Sequence, residues 1–521
     1  MRQKLAALIL IALCMGLFQH YEKNYVTANE YIRYFSILAW DDAHTTSLDP
    51  VFARLFPGWK KGDPAPNEDC AKVGGHYFLD KAPGLSILGA VLHPIIKLFI
   101  NPYRQGWIEL QVLTFLLITL PALIFLFLIM FRGSRYDPVV VLIFAMGTPF
   151  LLYSTVFFGI LPAGMTAYGG YILVTKHDRP FWGGLTVGAA ILLEYPAAAL
   201  VAAISLIVLF GAPTWQKRMK FSLGFLPIII FQLGYNTMLF GNPLVFSYAH
   251  KANPVLAGIM QTGVMGFGIP TLHRIYGLLL SPERGLFFIS PILILSLSAF
   301  FRPIRGRITE IVRDWDRAII IFVTLLILTG FTDWKAGNAA GPRHLIVILP
   351  FLIKPLKTGI QRLGQWTLGK FAVLLLSFWS VFNIWLVNGT FFYLSKQIVN
   401  PIYHESMVLL LNNCIYPTIF SQQPLAGLIA WMLALVFVWL WISFGLFGWK
   451  RPLHSVTAFF AALVLTMIVI VSLNTTGDTI PKQQKHVYAE LNRVRKLRNC
   501  RENKLAHTWI RLIPVVQDKR R

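Results

Sequence analysis

The chain has 521 residues, of which 56% are hydrophobic and only 13% charged, and its formal net charge at pH 7 is +24. Soluble domains carry about a quarter charged residues, so this composition excludes an ordinary soluble enzyme and predicts an integral membrane protein. The Lys and Arg residues fall mostly in short loops between apolar segments. Retention in the cytoplasm and contact with anionic lipid explain them better there than nucleic-acid binding, so we expect no nucleic-acid partner.

Apolar segments recur along the chain and predict membrane-spanning helices. The thirteen candidates are residues 4–19, 108–131, 138–155, 159–175, 181–194, 196–212, 220–238, 284–301, 317–333, 344–356, 370–388, 425–448 and 455–473. With the N-terminus inside, every predicted cytoplasmic loop is basic, as the positive-inside rule requires. The first run is interpreted as an uncleaved span, because no small-residue cleavage site follows it. The expected fold is therefore an all-α polytopic membrane protein, a single domain over residues 1–521 with about 13 transmembrane helices.

Sizeable segments are predicted on the external side of the membrane. They are residues 20–107, 239–283 and 389–424. Within the first, residues 84–100 are apolar but short and contain Pro94, so we expect an interfacial or re-entrant segment rather than a span. A basic C-terminal tail, 474–521, also falls outside in this threading, unless one helix near the C-terminus is miscounted. Three cysteines would share that side and allow one disulfide that the sequence does not assign, namely Cys70, Cys414 and Cys500.

The first external segment begins with Asn29-Glu30 and Arg33. Apolar side chains at spacings of three and four predict an amphipathic helix lying on the membrane. They are Tyr31, Tyr34, Phe35, Leu38 and Trp40. Because Glu30 and Arg33 share a face of this helix, Glu30 is a candidate general base for a lipid-borne substrate. The alternative is a surface ion pair at the start of a helix.

Carboxylates continue along the same segment as Asp41-Asp42, with His44 and Asp49 close in sequence. Hard oxygen ligands of this kind bind divalent cations. Asp/His-rich loops are more often only solvated, so a divalent metal is an alternative that we do not favour, and no other cofactor is expected.

A second motif precedes the re-entrant stretch and runs from Gly74 to Gly84. It contains paired glycines, then His76, the charged pair Asp80-Lys81 and Pro83-Gly84. A stiff turn would hold Asp80 and Lys81 at the lipid boundary. The alternative is a loop that merely caps the next helix.

Glu194 stands in an otherwise apolar run, residues 191–196. An ionisable group at membrane depth costs roughly 2.5–3.5 kcal/mol on insertion scales, so it usually has a function or a partner. We place Glu194 near the external end of a helix that is broken by Pro196, where it would line a cavity. The alternative is an interfacial carboxylate that reaches water.

Several external cations follow, and two of them stand beside Gly and Pro. The set is Lys251, Arg274, Arg284, Lys335 and Arg343. Arg284 lies in the sequence Ser-Pro-Glu-Arg-Gly, and Arg343 follows Trp334 and precedes His344 in a Gly-Pro-rich stretch. Guanidinium groups at a helix mouth pair bidentately with phosphate oxygens. Equally, interfacial Arg side chains extend to ordinary lipid headgroups.

At these residues the chain resembles the GT-C superfamily of membrane glycosyltransferases, which includes protein O-mannosyltransferases and the aminoarabinose transferases of lipid A. Its members have a catalytic carboxylate in the first external loop, often in an acidic pair followed by Arg, where this chain has Asn29-Glu30 and Arg33. Residues 75–84, 240–243 with Tyr248, 284–287 and 341–344 look like a bacterial branch of the superfamily. The chain departs from the pattern at Asn29, and residues 153–159 lack the acid found in the second loop of some members.

The resemblance implies an enzyme of the bacterial inner (plasma) membrane whose active site faces the periplasm. It would move a sugar, with inversion, from a polyprenyl-phosphate donor to a lipid, glycan or protein acceptor. The expected catalytic carboxylates are Glu30, Asp80, Asp41 and Asp42. The residues expected to bind the donor phosphate are Arg343, Arg284, Lys81 and Arg33. The residues expected to contact substrate are His76, Tyr248, His344, Trp334 and Glu194.

A secondary transporter or a flippase for lipid-linked glycans is the rival interpretation. Transporters usually show two similar halves and ionisable groups at mid-membrane, whereas here no repeat is evident and the polar residues concentrate outside. The two hypotheses differ in the residue on which they depend, since an enzyme would require Glu30 and a transporter Glu194.

Overall fold

The computed structural model describes residues 1–20, 27–132, 136–263, 266–301, 315–390, 393–396, 398–415, 424–474 and 489. Nearly all of the predicted basic tail, 474–521, lies outside the described residues, as does Cys500. The described chain is mainly helical and multi-pass in character. Five of its helices are long and apolar enough to cross a membrane, and they are Pro102–Phe131, Trp215–Phe240, Thr367–Thr390, Ala426–Phe447 and Pro452–Leu473. The count of thirteen spans stays a prediction.

The N-terminal region contains a first apolar helix, the predicted external segment and a long helix with a π-turn, Pro102–Phe131, which is one of the five candidate spans. Its elements are α1 (Arg2–Leu17), α2 (Ala28–Asp41), α3 (Asp49–Leu55), β1 (Cys70–Val73), β2 (His76–Leu79), α4 (Gly84–Ile96), α5 (Pro102–Thr114), a π-turn (Phe115–Thr119) and α6 (Leu120–Phe131). The amphipathic helix predicted from spacing is present as α2. The rest of the predicted external segment folds around α2 and buries residues 29–39 within the protein, and the predicted position of α2 on the membrane surface stays a prediction.

The strands β1 and β2 form an antiparallel hairpin in which Cys70 pairs with Leu79 and Val73 with His76. Gly74 and Gly75 connect them with φ angles of +57° and +81°. Two consecutive positive φ values are the geometry of a type I′ turn, which glycine adopts without steric cost. The paired glycines therefore form the turn between two strands. This small hairpin is an exception to the predicted all-α fold.

The middle of the chain is built from short, closely packed helices. They are α7 (Pro138–Gly147), α8 (Phe150–Tyr153), α9 (Ile160–Thr175), α10 (Pro180–Leu193), a 3-10 turn (Tyr195–Ala197), α11 (Ala198–Gly211), α12 (Trp215–Phe240), a 3-10 turn (Ser247–His250) and α13 (Pro254–Met260). Helices α10 and α12 approach so closely that a Cβ on Gly184 would lie 2.0 Å from the Phe221 carbonyl oxygen. Small residues at such crossings are how membrane helices pack.

The C-terminal region begins with helices that are broken where continuous spans were predicted. It comprises α14 (Leu272–Leu279), α15 (Leu286–Ile289), a 3-10 segment (Pro291–Phe300), α16 (Asp316–Thr329), a 3-10 segment (Arg343–Ile348), α17 (Leu349–Leu363), α18 (Thr367–Thr390), a π-turn (Ile402–Ser406), α19 (Met407–Leu411), α20 (Pro424–Phe447) and α21 (Pro452–Asn474). The predicted span 284–301 is interrupted at Pro291, which has no N–H to continue the helix. Cys414 is in a disulfide, whereas Cys70 is a free, buried thiol.

Candidate functional site

A cavity of about 550 Å³ lies where the predicted external segments meet. Residues 28–29, 66–69 and Lys81 contribute from the first segment, and residues between Tyr248 and Met260 from the second. The rest of the wall comes from Phe331, Asp333, 336–339, Arg343, His344, Tyr393 and Lys396. Four residues that are predicted to bind the donor phosphate or the substrate therefore share one wall, namely Lys81, Tyr248, Arg343 and His344.

The charged side of the cavity centres on Lys81. Its ammonium nitrogen lies 3.1 Å from Oδ1 of Asp69 and 3.3 Å from Oδ2 of Asp80. Lys251 also forms an ion pair with Oδ2 of Asp80, and Ser247 Oγ donates to the backbone carbonyl of Asp80. Asp80 itself is fully buried behind the wall, while Asp69 faces the cavity with its side chain 20% exposed. Asp80 thus positions the two lysines, and Asp69 is the carboxylate beside Lys81 that a ligand would meet.

These charges change one another's protonation. Burial opposes ionisation of Asp69, but the charges of Lys81, Lys251 and Arg343 outweigh it and hold the pKa of that carboxyl well below its ordinary value. Burial lowers the pKa of Lys81 despite the nearby carboxylates. For Lys251 burial acts in the same direction, but Asp80 and Asp69 outweigh it and raise its pKa. The resting cavity therefore contains an ionised Asp69 in a largely cationic surrounding.

Arg343 offers unused hydrogen-bonding capacity at the cavity. Its Nε is buried and has no hydrogen-bond partner among the described residues. Its guanidinium carbon lies 5.7 Å from the centre of the Phe158 ring, which provides a cation–π contact. Nδ1 of the adjacent His344 also lacks a described partner. Buried polar groups are normally hydrogen-bonded, so a guanidinium with an unpaired Nε at a cavity wall is suited to an anionic ligand.

Arg284, which is predicted to bind the donor phosphate, contacts the protein backbone next to the cavity, and its role in phosphate binding stays a prediction. It is 1% exposed and lies outside the described cavity wall. Its Nη2 donates to the carbonyl oxygens of Gly337, at 3.2 Å, and Leu394, at 2.9 Å. Because Gly337 lines the cavity, Arg284 stabilises the wall from behind. Trp334, next in sequence to this wall, packs on Gly277 and His273.

Of the three residues in the N-terminal motif, Asn29 lines the cavity, whereas Glu30 and Arg33 lie outside its wall. Asn29 lines the cavity, and its Nδ2 has no described hydrogen-bond partner. Glu30 lies outside the described wall, where its Oε1 accepts a hydrogen bond of 2.7 Å from the Phe157 amide. Arg33 donates to the Ala82 carbonyl at 3.2 Å and forms an ion pair with Glu194. A role for Glu30 as the base stays a prediction.

The other predicted residues form two clusters away from the cavity. Asp41 and Asp42 join His93 and Lys97 at the end of α2. Asp49, which the sequence groups with them, instead accepts from Nδ1 of His76 at 2.7 Å. The structure therefore does not bring together the four residues that the sequence groups as possible cation ligands, because Asp49 is paired with His76 of the hairpin. These residues are Asp41, Asp42, His44 and Asp49.

Asp69 is the residue that sequence reasoning missed, although a signal for it exists. The hairpin pairs Cys70 with Leu79, so the next positions outward are Asp69 and Asp80. An interpretation of Gly74-Gly75 as a two-residue hairpin turn would have placed Asp69 beside the Asp80-Lys81 pair.

Comparison of the chain with protein-family models, curated proteins and solved structures finds no match.

Proposed function

We propose that this protein is a membrane glycosyltransferase that moves a sugar from a polyprenyl-phosphate-linked donor to an external acceptor. The observation that carries the proposal is one cavity in which the carboxylate of Asp69 faces Lys81, Lys251 and Arg343. A negatively charged leaving group and a hydroxyl nucleophile need this combination of cations and a carboxylate. A bacterial inner-membrane location with the cavity facing the periplasm belongs to the same proposal.

The cations would hold the donor phosphate. Lys81 and Lys251 provide point charges, and Arg343 adds a planar guanidinium whose Nε is unpaired. These groups would also balance the charge that develops on the phosphate oxygen as the glycosidic bond breaks. Tyr248 and His344 lie on the same wall, where they would contact the sugar or the lipid phosphate.

Asp69 would act on the acceptor. In one displacement, an acceptor oxygen forms a bond to the anomeric carbon, the bond to the phosphate oxygen breaks with its electron pair, and the acceptor proton passes to the carboxylate. The configuration at the anomeric carbon inverts. The low pKa of Asp69 makes it a weak base in the resting cavity. When the donor phosphate neutralises Lys81 and Arg343, that pKa would rise, so the base would gain strength only after the donor binds.

The test compares carboxylate variants of the purified protein in lipid nanodiscs. Turnover is the release of polyprenyl phosphate from a panel of short-chain polyprenyl-phosphate hexoses and pentoses, with a membrane lipid extract as the acceptor. We expect Asp69→Asn to lower turnover by about 100-fold or more while donor binding is kept or tightened. Glu68→Gln is the matched control, because Glu68 also lines the cavity. It should retain turnover.

The same assay decides between the two candidate bases. Loss of turnover in Glu30→Gln with Asp69→Asn active would move the base to Glu30. Full turnover in both variants would overturn the proposed acid–base chemistry. If no donor of the panel binds the wild-type protein, the proposal of a polyprenyl-phosphate substrate fails.

The rival transporter hypothesis depends on Glu194 at a cavity within the membrane. Glu194 is only 4% exposed, and its carboxylate pairs with Arg33. A buried ion pair with this geometry has a structural explanation without transport. The enzyme hypothesis therefore has the more direct support from the contacts of these residues.

A further inference from the structure

A second cluster of ionisable side chains lies between three helices of the first external segment. Asp41 and Asp42 come from the C-terminal end of α2, and His93 comes from α4. Lys97 follows α4, and Glu109 belongs to α5. None of these five residues lines the cavity described above. The cluster therefore needs an explanation of its own.

The spacing of three of its ligand atoms matches a metal site. Nε2 of His93 lies 3.4 Å from Oδ1 of Asp42 and 3.6 Å from Oδ2 of Asp41. The three side chains offer ligand atoms that all lie within 4.8 Å of one another. Ligands about 2.0–2.1 Å from a tetrahedral Zn²⁺ are separated from one another by roughly 3.4 Å. An ion would thus fit between these atoms with small side-chain adjustments.

Two atoms of the cluster lack the partners that buried polar groups normally have. His93 is 0% exposed, and its Nε2, although 3.4 Å from Oδ1 of Asp42, makes no hydrogen bond of acceptable geometry within the described part of the chain. Oδ2 of Asp42 is likewise buried without a described partner. Each such orphan in a folded protein calls for an explanation, of which a missing ion is one. Here both orphan atoms belong to potential ligands of the same ion.

The opposite side of the imidazole is arranged as in metal-binding histidines. Nδ1 of His93 forms a short hydrogen bond with Oε1 of Glu109, whose side chain is fully buried. Tyr34 holds the other oxygen of Glu109 by donating a hydrogen bond of 2.7 Å. An outer carboxylate that accepts from one imidazole nitrogen leaves the second nitrogen free to coordinate and makes it more basic.

Lys97 occupies the position of a competing cation. Its ammonium contacts Oδ2 of Asp41 and lies 3.0 Å from Oδ1 of Asp42. The Lys97 side chain is 34% exposed. It can therefore turn into solvent when a more highly charged ion binds.

The geometry points to a divalent transition-metal site formed by Asp41, Asp42 and His93. One imidazole and two carboxylates favour a borderline ion such as Zn²⁺ or Co²⁺ over Mg²⁺ and Ca²⁺, which prefer oxygen ligands alone. The bound ion would join α2 to α4 and stabilise the external segment that carries Asn29, Asp69 and Lys81. This inference does not depend on the proposed glycosyl transfer.

The experiment is a Co²⁺ titration of the tag-free, full-length protein in nanodiscs. Co²⁺ in a nitrogen–oxygen site absorbs visible light, and its displacement by Zn²⁺ gives the relative affinity. We expect one ion per chain, and binding at least tenfold weaker in Asp42→Asn and in His93→Gln. Lys97→Met should bind more tightly, because the competing ammonium is removed. Because Lys97→Met leaves the buried His93 unchanged, this gain in affinity can be measured even if the protein does not fold with a substitution at His93.

His44→Gln is the matched control, since His44 is an exposed histidine of the same segment. It should bind Co²⁺ like the wild type. Melting temperatures without metal establish that each variant is folded. If the wild type binds no Co²⁺, or if Asp42→Asn and Lys97→Met leave the affinity unchanged, the cluster is an ion-pair network closed by Lys97 and the inference is wrong.

Discussion

Nη2 of Arg33 and Oε2 of Glu194 lie 2.5 Å apart in an ion pair that is almost fully buried. Arg33 belongs to α2 of the external segment, and Glu194 is the extended residue that ends α10. The pair therefore fixes the predicted external segment to the break that follows the apolar helix α10. The cavity at Asn29 lies next to this connection, so its geometry depends on the ion pair.

Removal of either partner should destabilise the protein strongly. Glu194→Gln and Arg33→Met each leave a group without its buried partner, and breaking such a pair costs about 3–5 kcal/mol. The double variant Arg33→Met, Glu194→Met should recover much of that loss, because neither member of the pair is left buried without the other. The melting temperatures of the three variants in nanodiscs measure this effect. If the single variants are as stable as the wild type, the ion pair does not hold the segment in place.

Donor binding should weaken in alkaline solution because of Lys81. Burial lowers the pKa of Lys81, so its ammonium loses its proton below the ordinary value of about 10.4. The phosphodiester of the donor keeps its charge over this range, and affinity should therefore fall as the pH rises through the Lys81 pKa. Lys81→Arg should remove this part of the pH dependence, since the guanidinium stays protonated. Equal slopes in the two proteins, measured by donor titration from pH 7 to 10, would contradict the assignment.

The sequence indicates local structure better than it indicates which faces meet. Spacing of apolar residues is enough to predict helix α2, because helix periodicity is local. Lys81 and Arg343 are recognisable as external cations, yet they are 262 positions apart, and only the packing of the helices brings them into one cavity. Glu30 illustrates the limit. Its carboxylate lies outside the described cavity wall and accepts a hydrogen bond from the Phe157 amide, 127 positions away, and nothing near Glu30 in sequence encodes that contact.

Two glycines of α12 should respond in opposite ways to substitution by alanine. A Cβ on Gly224 would lie 2.2 Å from the Phe181 carbonyl oxygen of α10, whereas a Cβ on Gly234 would meet nothing within 4 Å. Gly224→Ala must push the two helices apart and should lower the melting temperature by several degrees. Gly234→Ala should leave it unchanged or raise it slightly, because alanine favours the helix by about 1 kcal/mol. An equal effect of both changes would show that this crossing is looser than the contacts indicate.

Arg343 should differ from the lysines of the cavity in what its replacement costs. Its guanidinium is planar, and its Nε has no described hydrogen-bond partner. A lysine at this position would keep the charge but lose the two parallel N–H donors of the guanidinium. We expect Arg343→Lys to weaken donor binding by about tenfold, which corresponds to one charge-assisted hydrogen bond of ~1.5 kcal/mol. Arg343→Met should lose the charge as well and reduce the dependence of donor affinity on salt. Lys396→Met is the control for the loss of a positive charge alone, because Lys396 lines the same cavity and has no planar guanidinium. If Arg343→Lys binds donor like the wild type, the phosphate is held by charge alone and Arg343 does not contact it bidentately.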